Sequence, residues 1–300
     1  MKFIEREHID IERWDTLVKT TQGSDVFSLS VYLDHVAENW CIFVDEEYTR
    51  GIALPYVVRL GIKLCYTPIF VRYMEWFGLP MDDHRLMVEL KHQFQSGRLQ
   101  TKNKIRTRKL KRRIYQQIDS DLIPETNTQT KRMLSKYERS EISLNWDDDI
   151  PAVMKFIRSE LPIKVTSLDK KSIDRLENLV HALKEHDLLR MVVASDEDHR
   201  LGGLFVVPFN GSMLYLKGAV GKESKDMGVM YGAMQMAIDE AQNEGLHFDF
   251  GGSNAEGVKR FNYNLGGEDK KYYVVDWDHT PGWYRFIMKV RNLWKRRRSS

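Results

Sequence analysis

Two cysteines in 300 residues, Cys41 and Cys65, leave no room for a disulfide framework or a four-cysteine zinc site. Both lie in apolar runs, WCIFV and IKLCY. That placement favours buried free thiols in a reducing compartment, with a single disulfide as the alternative. HExxH, paired CxxC, EF-hand and Walker A patterns are all missing, so no dedicated metal or nucleotide-hydrolysis site is expected. His181 and His186 have no metal-ligand spacing and are expected at the surface. GGSNAEG is not a Gly-x-Ser-x-Gly elbow, which makes Ser253 a helix cap rather than a nucleophile. No hydrophobic run approaches the length of a membrane span, and MKFIEREHID is too charged for a signal peptide. The expected location is therefore cytoplasmic, with peripheral contact to the inner face of a membrane left open.

What is present is a globular composition, 42% hydrophobic and 11% aromatic, long enough for one large or two ordinary domains. The most informative stretch is residues 246–267, LHFDFGGSNAEGVKRFNYNLGG. Leu246, Phe248 and Phe250 alternate with His247 and Asp249, the period of a strand with one buried face. Gly251 and Gly252 follow, then the favoured caps Ser253 and Asn254. A helix over 255–264 would bury Val258, Phe261 and Leu265 and stop at Gly266-Gly267. A strand ending in glycine at a helix start lets another molecule approach backbone N–H groups closely, which places the active region here.

Upstream, an opening strand at Phe3–Ile4, helices over 11–18 and 29–38 and a hairpin from 40–44 to 51–58 give a mixed α/β pattern. The second helix would turn Val31, Val36 and Leu33 inward. Tyr73, Trp76 and Phe77 lie in an aromatic loop that either walls a pocket or packs on its own half. Asp82 caps a helix to about Phe94. From residue 128 come a basic helix, a strand, helices over 149–161 and 168–185, and three strands, the last two joined by Asn210-Gly211. A polar, glycine-bounded loop, GKESKDMG, precedes a helix over 229–244 whose stripe is Met230, Ala233, Ala237 and Ala241.

FDFGGS followed by EGVKRF, LGG and an aromatic strand resembles the C-terminal signature of Fem-type transferases, double-domain members of the GNAT acyltransferase superfamily. RWDTLVKTTQGSDVFSLSVYLDHVAENW, YTPIFVRYMEWFG and TKRMLSKYERSEISL extend the resemblance over most of the chain. It implies an α+β fold of two tandem GNAT-like domains, each a mixed, mostly antiparallel sheet flanked by helices. Residues 1–125 would form the first and 126–280 the second, with a basic amphipathic helix over 281–300.

The implied activity is transfer of an acyl or aminoacyl group to an amine, by direct attack in a ternary complex. Acyl-CoA, typically acetyl-CoA, is the implied co-substrate, and a small molecule or cell-envelope precursor the acceptor. The thioester would lie along the strand 213–220, with Lys217, Gly221, Lys222, Lys225 and Gly228 near its phosphates, together with Gly251, Gly252, Ser253 and Asn254. Members that use aminoacyl-tRNA typically carry a lysine after the phenylalanine of the last helix. Here Phe261 is followed by Asn262, a neutral hydrogen-bond donor, which counts against tRNA unless Lys259 or Arg260 substitutes. Asp249 is expected either as general base or as a structural carboxylate bonded to loop N–H groups. Tyr215 would protonate a leaving thiolate or merely pack. Lys259, Arg260, Phe261, Tyr73 and Trp76 are the expected substrate contacts.

Two basic stretches stand apart. Arg98, Lys102, Lys104, Arg106, Arg108, Lys109, Lys111, Arg112 and Arg113 crowd residues 98–113, as a solvated face or as the seat of an anionic partner; without interleaved aromatics they lack the means for base stacking. The tail PGWYRFIMKVRNLWKRRRSS is amphipathic, suited to docking on the body or lying on an anionic membrane surface. An alternative class of function is a catalytically degenerate module that binds anionic membrane or RNA.

Overall fold

A computed structural model describes residues 1–107, 110–164, 169–252 and 255–298. The expected caps Ser253 and Asn254 lie outside the described residues, as do Arg108, Lys109 and Leu168.

The chain is α+β and, among the described residues, builds a 13-stranded sheet, in which the short strand Trp76–Phe77 pairs with Gly51–Arg59 off the main order. Its first half supplies one flank, running Lys2–Glu5, Asn39–Val44, Gly51–Arg59, Ile62–Tyr66 and Ser96–Thr101. The other flank runs Leu110–Ile118, His247–Asp249, Ser212–Val220, Arg200–Phe209, Arg190–Ser195 and Ser143–Trp146. Between Ser96–Thr101 and Leu110–Ile118 sits Glu268–Asp278, antiparallel to both. The sheet is therefore continuous across residue 125, because strands from both halves of the sequence interleave at its centre.

The local signals account for most elements. Asp10, Asp82, Asn127 and Asp169 each accept a bond from the N–H three residues on, capping four helices. Asn210 and Gly211 both have positive φ and close the hairpin between Arg200–Phe209 and Ser212–Val220. One large core cluster runs from Trp14, Leu33 and Leu90 to Val153, Ile157 and Leu179. A second, including Ala233, Ala237, Ala241 and Phe248, lies beneath the helix Val229–Asn243. Cys41 and Cys65 are buried and free.

Three local expectations change. In the helix Ser30–Val36 the inward residues are Tyr32, Leu33 and Val36, with Val31 only half-buried. The polar segment 221–228 contains a short helix, Lys222–Asp226. In the helix Glu256–Asn264 Val258 is 42% exposed and Asn262 is buried in its stead. The helix turns that face to the strand Leu110–Ile118, where Gln116 offers the amide a partner.

Candidate active site

The strands Ser212–Val220 and His247–Asp249 run parallel, with Leu214 opposite Asp249 as their last pair. Beyond it the first strand continues to Val220, while the second chain segment leaves the sheet. Phe250 N–H donates to the Gln116 carbonyl at 3.1 Å, and Gly251 and Gly252 follow with φ of 75° and 76°. Gly251 still lies against Tyr215, and beyond that residue the two segments part in a wedge. Glycine is required at the turn on two grounds. A Cβ on Gly251 would lie 2.4 Å from the Tyr215 carbonyl oxygen, and one on Gly252 would press on Arg72 and Tyr115.

A β-bulge shapes the other side of the wedge. Val206 pairs with Tyr215 and Phe205 with Lys217, which leaves Leu216 as an extra residue. Tyr215 packs with the cluster beneath Val229–Asn243. Lys217, paired with Phe205 of the opposite cluster, is moved to the face that also carries Leu214 and Asp249. It stands roughly 10 Å along the strand from Leu214. Lys217 is half-buried, its side chain makes no ion pair or hydrogen bond with the described residues, and burial lowers its pKa. Burial pushes the Tyr215 phenol up to about 12.

At the closed end of the wedge Asp249 is buried against Arg72, also buried. Arg72 Nη1 donates to Oδ1 at 2.5 Å and Nη2 donates to Oδ2, while the Gly251 N–H donates to Oδ1 at 2.9 Å. The guanidinium lies 3.6 Å from the centroid of the Tyr115 ring. Its Nε has no partner among the described residues. Nη2 also donates to the Tyr73 hydroxyl at 3.2 Å, which in turn donates to Asp25 at 2.8 Å. Lys102 closes the cluster, 3.1 Å from Asp25 and 2.9 Å from Glu75. Burial alone would lower the Arg72 pKa, but the Asp249 charge carries it well above its ordinary value. Burial likewise raises Tyr73 and Glu75, the first helped by Asp25 and the second opposed by Lys102. Asp249 thus engages both oxygens in holding Arg72 and the Gly251 turn.

The remaining expected residues scatter. Asn262 is buried and donates to Gln116 at 3.2 Å, and Gln116 donates to Asp269 at 2.9 Å, so this amide anchors its helix to the sheet. Phe261 packs edge-on against Tyr231 at 4.8 Å, Lys259 lies over Tyr263 and Arg260 is exposed. Lys222 and Lys225 are exposed on the short helix. Gly221 N–H bonds the Leu201 carbonyl, and Gly228 is crowded by the Met133 carbonyl of the helix Thr128–Glu138. Trp76 is buried in its own half, its indole N–H donating to Leu79. Of the basic run, Arg98 and Lys111 pair with Asp276 and Lys102 joins the buried cluster. No group of three or more His, Cys, Asp or Glu among the described residues is placed to hold a metal. None of their helices is long and apolar enough to cross a membrane.

Sequence reasoning missed Arg72, Asp25, Glu75 and Tyr115. A signal existed for two of them. Arg72 and Glu75 are the only charges in the otherwise apolar and aromatic run 66–78, and a charge embedded there needs a buried partner. The partners, at Asp25, Lys102 and Asp249, are too distant in sequence to be named from it.

Residues 125–263 match the model of the acetyltransferase (GNAT) domain. Among solved structures, FemX superposes with a TM-score of 0.64 at 13% identity, covering 96% of this chain and 99% of its own. A C-terminal domain from Agrobacterium fabrum, assigned to a lysylphosphatidylglycerol synthetase, gives 0.60 at 10% identity over 91% and 92%. L-PGS from Bacillus licheniformis gives 0.56 at 10% identity over 95% and 96%. No curated protein matches in sequence. At these identities the structural likeness is one of fold. The chain has a Fem-like GNAT fold, and its residues 125–263 match the acetyltransferase (GNAT) domain model.

Proposed function

We propose that the chain is an N-acyltransferase that moves an acyl or aminoacyl group from an activated ester, with acyl-CoA as the first choice, onto an amine in the wedge between Ser212–Val220 and the Gly251-Gly252 turn. The observation that carries this reading is the splay at Tyr215. It leaves the stretch from Leu216 to Val220 without a ladder partner on that side among the described residues, beside a turn that only glycine can make. The GNAT match over residues 125–263 supports the reaction class, and the named synthetases among the fold neighbours are compatible with an aminoacyl donor.

In the proposed reaction the amine nitrogen attacks the carbonyl carbon. A C–N bond forms, the C–S or C–O bond to the carrier breaks, and the nitrogen loses a proton. Lys217 takes that proton: burial lowers its pKa from the ordinary lysine value, and no carboxylate among the described residues pairs with its side chain. Tyr215, kept protonated by its raised pKa, donates a hydrogen bond to the departing thiolate or alkoxide from the other face of the strand. Asp249 and Arg72 fix the far wall. The acceptor is a small molecule or an envelope-precursor amine.

The test is a thermal-shift titration with acetyl-CoA, longer acyl-CoAs, free CoA and aminoacyl-tRNA, followed by CoA-release assays over a panel of amines. A ligand present at about a hundred times its Kd stabilises the native state by about 2.7 kcal/mol. Stabilisation by acyl-CoA with release on adding an amine is the expected result. Stabilisation by aminoacyl-tRNA alone would move the donor to the ester. No response to any donor would remove the enzyme reading and leave a binding module.

A further inference from the structure

The helix Gly282–Arg298 is anchored to the body through its first turn. Tyr284 is buried there, and Asp278 caps the preceding turn by accepting from the Thr280 N–H and hydroxyl. Met288, one turn on, is half-buried. A cleft of about 560 Å³, lined by Leu64, Ser96, Asp278, Tyr284 and Met288 among others, separates the rest of the helix from the sheet.

The side turned away from that cleft carries Trp283, Phe286, Ile287, Val290 and Trp294, an arc of roughly 100° at the 3.6-residue period. All five are exposed, Phe286 at 69%, Trp294 at 65% and Trp283 at 51%. Lys289 and Arg291, both exposed, flank this arc on its two sides. The sequence continues Lys295, Arg296, Arg297 and Arg298, and no acidic residue follows Asp278.

We propose that this helix lies flat on an anionic lipid surface, its five apolar side chains entering the boundary between headgroups and acyl chains while the flanking cations meet lipid phosphates. Charge selects the occupant. A second copy of the chain would bring the same unbalanced positive helix against its own, whereas an anionic bilayer matches both the apolar arc and the basic margins. Trp283 and Trp294, at the two ends of the stripe along the helix, suit a layer that is apolar within and polar at its rim. The inference is independent of the acyl-transfer reading, since it uses no residue of the wedge.

The experiment is co-sedimentation of the full chain with vesicles of phosphatidylcholine alone and with about 30% phosphatidylglycerol. It is repeated for Phe286→Ser/Trp294→Ser, for Lys289→Glu/Arg291→Glu, and for the controls Leu79→Ser and Ile123→Ser, which remove exposed apolar side chains elsewhere (75% and 90% exposed). Unfolding curves establish that every variant is folded. Binding to the anionic vesicles should fall at least about tenfold in each double variant and stay unchanged in the controls. Equal binding to both vesicle types, or binding that survives loss of Phe286 and Trp294, overturns the proposal. So does self-association that the same pair abolishes in a chain with no affinity for vesicles.

Discussion

Two cations share one face of the sheet near the wedge and live under opposite conditions. Arg72 is buried with both terminal nitrogens on Asp249 and an aromatic ring beneath it. Lys217 is half-buried with no counter-charge among the described residues. Burial disfavours charge in both, but Asp249 raises the pKa of Arg72 while nothing opposes the fall at Lys217. The difference separates a charge used to hold a turn from one left available to a ligand. Satisfied polar clusters rigidify a site, whereas an unsatisfied group beside an opening carries a cost in the empty protein that a substrate can relieve.

The comparison breaks most sharply at the paired cation. Asp249→Asn leaves a buried guanidinium without its anion and should cost about 3–5 kcal/mol of stability. Arg72→Met with Asp249→Leu should recover most of that loss, because the unpaired charge is gone. Denaturant unfolding of the three proteins measures it, and an Asp249→Asn protein as stable as the parent would show that the cluster does not hold the turn.

At the unpaired cation the large effect is on rate. Lys217→Met and Lys217→Arg should each reduce turnover about 10²-fold or more, since a proton acceptor of this kind contributes 10²–10⁴-fold. Full activity in Lys217→Arg would mean that the charge matters and the proton transfer does not. The turn itself ranks next. Gly251→Ala places a Cβ against the Tyr215 carbonyl at positive φ and should cost about 1–3 kcal/mol, read from the shift in Tm.

A pH series sharpens the contrast further. The folded pKa of Lys217 lies below its ordinary value of 10.5, so between the two the unfolded chain binds more protons and stability contributed by this site rises with pH. Below the folded pKa both states are charged and the penalty is fully present. Lys217→Met should therefore be more stable than the parent near neutrality, and the gap should close as pH rises toward 10.5. A gap that widens with pH would reverse the assignment. Val258→Ser, on the exposed side of its helix, should change stability by no more than about 0.5 kcal/mol.

Much of the second half was legible because its signals are local. Alternation around Phe248, the Asn210-Gly211 pair, the alanine stripe of Val229–Asn243 and the Asp and Asn caps each act within a few residues. The helix Glu256–Asn264 shows the limit. Its apolar spacing pointed to Val258, but the buried polar residue Asn262 turns the helix, and its partner Gln116 lies 146 positions away. The site shows the same division. The glycine turn and Asp249 stood out in the letters, whereas Arg72 acquires its role from contact with Asp249 across 177 positions. The position of Lys217 depends on a bulge opposite Phe205 that no composition rule marks.

The insertion of Glu268–Asp278 between Ser96–Thr101 and Leu110–Ile118 governs the order of folding. Those two strands each keep an unpaired edge until residues near 278 have been synthesised, so the centre of the sheet is the last part to close. Pairings this distant in sequence slow folding, and open strand edges are templates for association with other chains. Expression at lower temperature or with a chaperone that shields strand edges should therefore raise the soluble yield, and truncation before Glu268 should send the chain into aggregates rather than release a smaller folded unit.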